Sequence, residues 1–321
     1  RLHMTRLSVA VVKIDRYPVG GAAATEPVGV PQLPFAPVMD QTEVETIIFS
    51  PAFVGKRMSF RLSGQLASVS GETIATALRL EALEGAGAAL TLDAELNPGR
   101  RTLALKLDWD EPEQGLVGRL LDMPHAPAMR LSVSGEGPLA DWPGAFNFET
   151  GPVAAQPDIR IAGTASAKFL GVPSLRLTGR ADVSTALPPQ LAALGAAPVI
   201  FDFITRFDRD AWAVSLQDLS VQGGAWRVVG SAALTLADLA LDGSLEADLE
   251  RGVQLAKGLT FDAGHVKANL GGYGNAPELN LSGRFAAPRV TDFSAQAVSF
   301  EGRTTVAPGG NKASFDLRAP R

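Results

Sequence analysis

The sequence predicts an all-β protein whose many short strands form one long, curled, antiparallel or mixed sheet. Glycine (33) and proline (22) are abundant among the 321 residues and are spread along the chain, which favours frequent turns over long helices. A hydrophobic fraction of 46% is enough for a core and argues against wholesale disorder. In many segments the apolar residues recur at every second position, which is typical of strands with one apolar side.

The chain divides into two predicted parts, residues 1–42 and residues 43–321. The first part holds one strand, Leu7–Ile14, followed by a stretch rich in Pro, Gly and Ala that lacks a period and is typical of a loop. The second part holds repeated strands, which we expect to form one continuous groove.

The clearest strand pair lies on either side of the turn Asn97–Arg100. Leu90, Leu92 and Leu96 alternate with polar residues before the turn, and Leu103, Leu105, Leu107 and Trp109 alternate with others after it. Because Asn-Pro-Gly is a strong turn signal, these residues predict an antiparallel hairpin.

A few short helices interrupt the predicted strands. Leu116, Val117, Leu120 and Leu121 have a one-sided helical spacing within Gln114–Met123. Pro188–Ala197 is a second candidate, with proline in its first turn, and Arg251–Lys257 is a third.

A small motif, an apolar residue followed by a polar residue and glycine, recurs at what we expect to be strand ends. Its copies are Leu62–Gly64, Val133–Gly135, Leu177–Gly179, Leu241–Gly243, Leu281–Gly283 and Phe300–Gly302. The spacing varies too widely for a fixed-period solenoid and fits a β-meander of about 20 strands. In Leu131–Gly144 we expect the strand to break at Gly135, Gly137 and Pro138 and to restart after Trp142, Pro143 and Gly144.

One side of this sheet is predicted to be apolar along its whole length. The candidate lining residues are Met58, Phe60, Leu62, Leu66, Leu90, Leu92, Leu96, Leu103, Leu105, Leu107, Trp109, Met129, Leu131, Val133, Ile159, Ile161, Leu175, Leu177, Trp212, Val214, Leu245, Leu249, Leu279, Leu281, Phe285, Val298 and Phe300. Such a side must close on itself, find a second layer or hold something apolar. Because only 7% of residues are aromatic, its aliphatic walls suit a groove for acyl chains, at about 0.8 kcal/mol per buried CH₂.

The sequence offers no constellation for catalysis, for a metal or for a cofactor, so we expect a protein that is not an enzyme. His3, His125 and His265 lie far apart and lack ligand spacing, and they are expected to be ordinary surface residues. The carboxylate pairs Asp108/Asp110 and Asp208/Asp210 are expected to solvate the polar side or to begin turns.

Charge and composition exclude further classes of protein. A net charge of −5 without a basic cluster argues against nucleic-acid binding. The absence of cysteine excludes a disulfide scaffold and a cysteine-based zinc site. No stretch approaches the roughly 18–20 apolar residues of a membrane span, and no signal peptide is evident. Because the chain opens and closes on strand-like segments, we expect it to be an internal fragment.

Two stretches carry a family resemblance. Asp110–Pro124 and Leu131–Gly144, with the core Gly-x-Gly-Pro-Leu-x-Asp-Trp-x-Gly, resemble the TamB family (translocation and assembly module) of AsmA-like, bridge-like lipid-transfer proteins, in its alphaproteobacterial form. Leu7–Val12, Leu62–Gly64 and Leu281–Arg289 are similar to the same family's pattern.

The resemblance implies an elongated groove with an apolar interior, called a β-taco, in the periplasm. It implies that phospholipid moves through the groove between the inner and outer membranes, in support of outer-membrane biogenesis. The parent chain would be anchored in the inner membrane and would meet an outer-membrane β-barrel of the TamA or BamA type, both through parts outside this chain.

Two alternatives remain open at this point. The groove could act as a chaperone or assembly scaffold that binds strands of outer-membrane β-barrel or autotransporter proteins. The chain could also be an extracellular β-solenoid adhesin with a filled core.

Overall fold

The fold is built almost entirely from β-strands. Strands make up 77% of the structure and helix 1%, which confirms the all-β prediction. The computed structural model describes residues 2–15, 37–51, 56–69, 73–84, 87–117, 126–151, 158–183, 197–236, 239–250, 259–273, 276–290, 293–305 and 312–318. These residues form 22 strands, close to the number expected, in two compact units, Arg1–Gly171 and Val172–Arg321. The division into residues 1–42 and 43–321 stays a prediction.

The first unit contains ten strands: β1 (Leu2–Met4), β2 (Leu7–Ile14), β3 (Pro37–Phe49), β4 (Met58–Val69), β5 (Thr73–Ala82), β6 (Ala89–Asn97), β7 (Thr102–Glu111), β8 (Met129–Pro138), β9 (Trp142–Thr150) and β10 (Ile159–Lys168). From β3 to β10 each strand pairs with the next in antiparallel register. β1 and β2 both pair with β3 in parallel register, which makes the sheet mixed.

The second unit contains twelve strands: β11 (Ser174–Asp182), β12 (Val199–Asp208), β13 (Ala213–Gln222), β14 (Trp226–Thr235), β15 (Leu241–Glu250), β16 (Leu259–Thr260), β17 (Ala263–Tyr273), β18 (Ala276–Ala286), β19 (Arg289–Val290), β20 (Phe293–Ser294), β21 (Ala297–Thr305) and β22 (Lys312–Arg318). Nine of them pair antiparallel in the order β11-β12-β13-β14-β15-β17-β18-β21-β22. The short strands β16, β19 and β20 form a small separate sheet.

The long sheets are curled and do not close on themselves, which confirms the predicted curled, antiparallel or mixed sheet. Alternate residues of each strand point to opposite sides. We call the side of Leu90 and Leu92 in β6 the apolar face, and the side of Thr91 and Asp93 the polar face. The predicted hairpin is confirmed: β6 pairs with β7, and the Asn97 side chain accepts a hydrogen bond from the Arg100 amide at 2.8 Å.

The helix predictions are tested only at one point. Leu116 and Val117 are helical, as the spacing within Gln114–Met123 predicts, and residues 118–123 lie outside the described residues. Pro188–Ala197 lies outside them except for its last residue, and Arg251–Lys257 lies wholly outside.

The predicted break is confirmed at Pro138, where β8 ends, but is wrong at Gly135 and Gly137, which lie inside β8. The strand β9 begins at Trp142 itself and not after Gly144. The indole ring of Trp142, only 3% exposed, lies on the apolar face against Gly135 and Gly144. Its Nε1 donates a hydrogen bond to the carbonyl oxygen of Leu103 on β7 at 3.0 Å. The glycine therefore makes room for a ring that spans three strands.

The motifs that end at Gly64, Gly179, Gly283 and Gly302 likewise lie inside strands and not at their ends. Only Leu241–Gly243 lies at a strand end as predicted, since it begins β15. Gly64, Gly179, Gly243, Gly283 and Gly302 all occupy positions on the apolar face. A Cβ placed at Gly64, Gly135, Gly243 or Gly283 would lie closer than 3.0 Å to a carbonyl oxygen of the neighbouring strand. The backbone of the neighbouring strand therefore lies too close for a side chain at these positions, a close approach for which glycine is used in curved sheets.

Glu111, at the end of β7, is a buried carboxylate with 4% exposure. It accepts hydrogen bonds from the Val117 amide at 2.8 Å and from Trp109 Nε1 at 3.1 Å. It thereby ties the start of the β7–β8 connection to the sheet. Burial raises the pKa of Glu111 above its ordinary value of 4.5, although both hydrogen bonds act in the opposite direction.

We expect Gly135→Ala to lower the free energy of unfolding by about 1–3 kcal/mol, because the new methyl group would overlap the Trp142 ring and the Pro143 carbonyl. Urea denaturation followed by circular dichroism measures the change. Gly87→Ala is the matched control, since a Cβ at Gly87 meets nothing within 4 Å, and it should stay within about 0.5 kcal/mol of the wild type. Equal stability of the two variants would contradict the proposed role of Gly135.

We expect the unfolding free energy of the wild type to fall relative to that of Glu111→Gln as pH rises from 4 to 7. Since the folded pKa lies above the unfolded one, the folded state holds more protons in this window, and the associated stability is lost as pH rises through the folded pKa. Urea titrations at several pH values measure the slope. The exposed neighbour Glu113 supplies the control Glu113→Gln, whose slope should match that of the wild type. A wild-type slope equal to that of Glu111→Gln would show that Glu111 titrates normally.

Candidate functional site

The apolar face of the first unit is organised in rows that cross the strands. Direct cross-strand pairing aligns one row as Val44, Leu62, Leu80, Leu90, Trp109, Leu131, Phe148 and Ile161. The next row contains Leu78, Leu92, Leu107, Val133 and Phe146. We call these the two central rows. Residues directly opposite each other on an antiparallel pair have Cβ atoms about 5 Å apart, so each row is a continuous apolar strip.

Every residue of the two central rows is only half-buried. In a sheet covered by a second layer, large central side chains such as Leu90, Leu107 and Phe148 would be almost fully buried. Within the described residues, therefore, no layer covers the central rows. In this part of the chain the central rows are thus partly accessible.

The two rims of this face, where the strands end, are better covered than its centre. At one rim, Phe60 is 2% exposed and Met129 5%. We call this the Phe60 rim. At the opposite rim, Trp142 lies beside Leu139, which is 5% exposed. The exposed strip thus runs along the middle of the sheet, between two closed rims.

The second unit repeats this arrangement on its own apolar face. One row contains Phe201, Val221, Val228, Ala247, Val266 and Phe300, and the next contains Leu219, Leu245, Ala268 and Leu281. All of these residues are again half-buried. One rim is covered where Phe261, 2% exposed, packs on Phe285 with ring centroids 5.0 Å apart.

The polar faces carry ion pairs between neighbouring strands. Arg176 donates two hydrogen bonds to the carboxylate of Asp202, at 2.9 and 2.6 Å, and they hold the pKa of Asp202 below its ordinary value. Lys267 pairs with Glu246 at 2.7 Å in the same unit. These exposed pairs contribute little stability individually, but they keep this side of the sheet hydrated.

All predicted lining residues except Trp212 lie on strands and point to the apolar face. Trp212 lies in the turn before β13 with a φ of 48°, is 43% exposed and contacts the ring of Phe207. The prediction that it belongs to a strand is wrong. Whether the other residues line a lipid groove stays a prediction.

Sequence reasoning missed several members of the central rows. Leu78 and Leu80 flank Arg79, and Phe146 and Phe148 flank Asn147. This alternation has the same period of two that marked the other strands, so the signal was present in the sequence. These four residues extend the rows across β5 and β9 without a gap.

A cavity of about 340 Å³ lies at the Phe60 rim. Its apolar walls include Phe60, Ala82 and Ala88. Its charged walls consist of Lys56, Arg57, Glu84 and Glu113, which come from the connections β3–β4, β5–β6 and β7–β8. The cavity therefore joins a region of mixed charge to the edge of the apolar face.

The histidines and aspartates that were considered for catalysis or metal binding make ordinary contacts. His3 contacts Asp40 and His265 contacts Asp248, each at 2.8 Å, whereas His125 lies outside the described residues. Asp208 accepts a hydrogen bond from the Ala211 amide in a turn, and Asp108 lies 3.5 Å from Lys106 on the polar face. No metal-binding group of three or more His, Asp or Glu residues occurs in the described part of the chain.

Among the same residues, no helix has the length and apolar content that a membrane crossing requires. Comparison with known proteins adds no neighbour: no family model, no curated protein and no solved structure matches the chain. The apolar faces and the cavity at the Phe60 rim are therefore the features of the structure that point to a function.

Proposed function

We propose that this protein is a non-enzymatic conduit whose apolar sheet faces hold the acyl chains of phospholipids. One observation carries the proposal: the central rows are continuous, strongly apolar and only half-buried. A water-filled apolar strip of this length is unfavourable, because uncovered apolar area costs about 25 cal/mol per Å² relative to burial. Acyl chains would remove that cost along the whole strip.

The side chains of the central rows suit flexible hydrocarbon. Leu80, Leu90 and Leu107 present aliphatic groups with no hydrogen-bonding atoms, so a chain can lie against them in many positions. Some aromatic rings are fixed by their neighbours: Trp142 packs against Gly135 and Gly144, and the ring centroids of Phe285 and Phe300 lie 5.8 Å apart in a stacked arrangement. A surface of this kind favours solvation of a mobile chain over recognition of one rigid ligand.

The two-sided character of the sheet supports the same function. An apolar face backed by a charged face, as at Asp93 and Lys106, can hold hydrocarbon on one side and stay hydrated on the other.

The wider setting of the function follows from the resemblance of residues 110–144 to the TamB family. We propose that the protein acts in the bacterial periplasm, in a parent chain anchored in the inner membrane, and supports outer-membrane biogenesis by moving phospholipid toward the outer membrane. Its outer-membrane β-barrel partner, of the TamA or BamA type, would bind parts outside this chain. No cofactor is needed for such transfer.

A chaperone role is the second candidate, and the exposed strand β2 favours it. Val11 is 58% exposed and Val12 36%, and within the described residues β2 pairs only with β3. An exposed apolar strand edge can accept an additional strand from another protein. A filled-core adhesin, in contrast, would need buried central rows.

We expect photo-crosslinking to separate the two faces. A photoreactive amino acid at Leu92 or Leu105 on the apolar face should capture phospholipid when the protein is expressed in a Gram-negative cell. The same group at Asp93 or Lys106, which pair with each other on the polar face, should not. Mass spectrometry of the purified adducts measures the captured molecule.

Asp93 and Lys106 are matched controls, because each is adjacent in sequence to one of the tested leucines. Equal lipid capture at all four positions would contradict a one-sided conduit. Capture of peptides with alternating apolar residues and no lipid at Leu92 and Leu105 would favour the chaperone role instead.

A further inference from the structure

Four exposed charged residues line the cavity at the Phe60 rim. Lys56, Arg57, Glu84 and Glu113 all line it, and within the described residues none of the four forms an ion pair. Pairs such as Arg130–Glu149 and Lys267–Glu246 occur elsewhere on the sheets. Two cations and two anions thus share one cavity without neutralising each other by contact.

The cavity also adjoins the accessible apolar strip. Phe60 lines it and pairs with Ala82 in the row next to Leu62, a member of the first central row. Phe60 and Leu62 are two residues apart on one strand, which is about 7 Å. A molecule with its polar end in the cavity could therefore lay its apolar part across the central rows without leaving the sheet.

We propose that this cavity binds the zwitterionic headgroup of a phospholipid, with the phosphate at Lys56 and Arg57 and the ammonium group at Glu84 and Glu113. The inference rests on the proposed lipid function and adds the class of lipid and the place where its headgroup binds.

Charge complementarity selects the zwitterion. Ammonium and guanidinium groups are the usual partners of phosphate oxygens, and the guanidinium of Arg57 can bind two of them at once. The carboxylates of Glu84 and Glu113 then need a cation, which an ethanolamine headgroup supplies. An anionic headgroup without an amine would leave both carboxylates unpaired beside a negative charge. The volume of about 340 Å³ lies at the lower end of the range of small-ligand sites.

The test uses the 321-residue chain and soluble short-chain probes. We expect dihexanoyl-phosphatidylethanolamine to bind more tightly than dihexanoylglycerol, which has the same chains and no headgroup, in isothermal titration calorimetry. The double variant Lys56→Gln/Arg57→Gln should weaken binding of the phospholipid by about fivefold or more and leave binding of the diacylglycerol unchanged. Arg61→Gln/Lys106→Gln, which removes the same charge from the polar face, should bind both probes like the wild type.

A second pair of substitutions tests the ammonium side. Glu84→Gln/Glu113→Gln should shift the preference from dihexanoyl-phosphatidylethanolamine toward dihexanoyl-phosphatidylglycerol, because the carboxylates no longer repel a negative headgroup. An unchanged preference would overturn the assignment of Glu84 and Glu113. Circular dichroism spectra and thermal midpoints equal to those of the wild type establish that the variants are folded.

The remaining outcomes are distinct. One outcome is that both probes bind the wild type, and Lys56→Gln/Arg57→Gln either leaves the affinity for the phospholipid unchanged or weakens the binding of both probes equally. That outcome would overturn the headgroup site, while the lipid conduit would stand. If inorganic phosphate displaces the phospholipid at equal concentration, the cavity is a simple anion site and the proposal fails. If the folded protein binds neither probe, the conduit and the headgroup site fail together.

Discussion

Cross-strand packing of aliphatic side chains on one face of an uncovered sheet is the constraint on which the rest of this structure depends. In the first unit this packing runs without a gap from Val44 to Ile161. Because no described layer covers it, the stability that a second layer normally supplies has to come from the pairs themselves and from the rims.

The rims contain buried side chains of the kind that an ordinary domain has in its core. Buried side chains concentrate there, with Phe60 and Met129 at one rim of the first unit, Trp142 at the other, and Phe261 in the second unit. The protein thereby combines well-packed borders with an accessible centre, which is the opposite of the burial gradient of an ordinary β-sandwich.

Strands whose pattern depends only on local alternation could be predicted from the sequence. The hairpin around Asn97 is one example, because its turn residues and its period of two agree. Gly135 was misread as a break since glycine often ends a strand, and the ring of Trp142 that fills its place comes from the next strand. The cavity at the Phe60 rim could not be predicted. Its charges come from three connections, at residues 56–57, 84 and 113, which only the pairing of β3 to β8 brings together.

The order of the strands has a consequence for how such a protein folds and varies. From β3 to β10 every strand pairs with its sequence neighbours, so each hairpin depends mainly on the hairpins beside it. Stability in such an array is approximately a sum of local and nearest-neighbour contributions, and folding can begin at any hairpin and spread outward. Evolution could therefore lengthen or shorten such a sheet by whole hairpins without redesigning the remainder. The span of the apolar surface would then be a modular property, adjustable to the distance that it must cover.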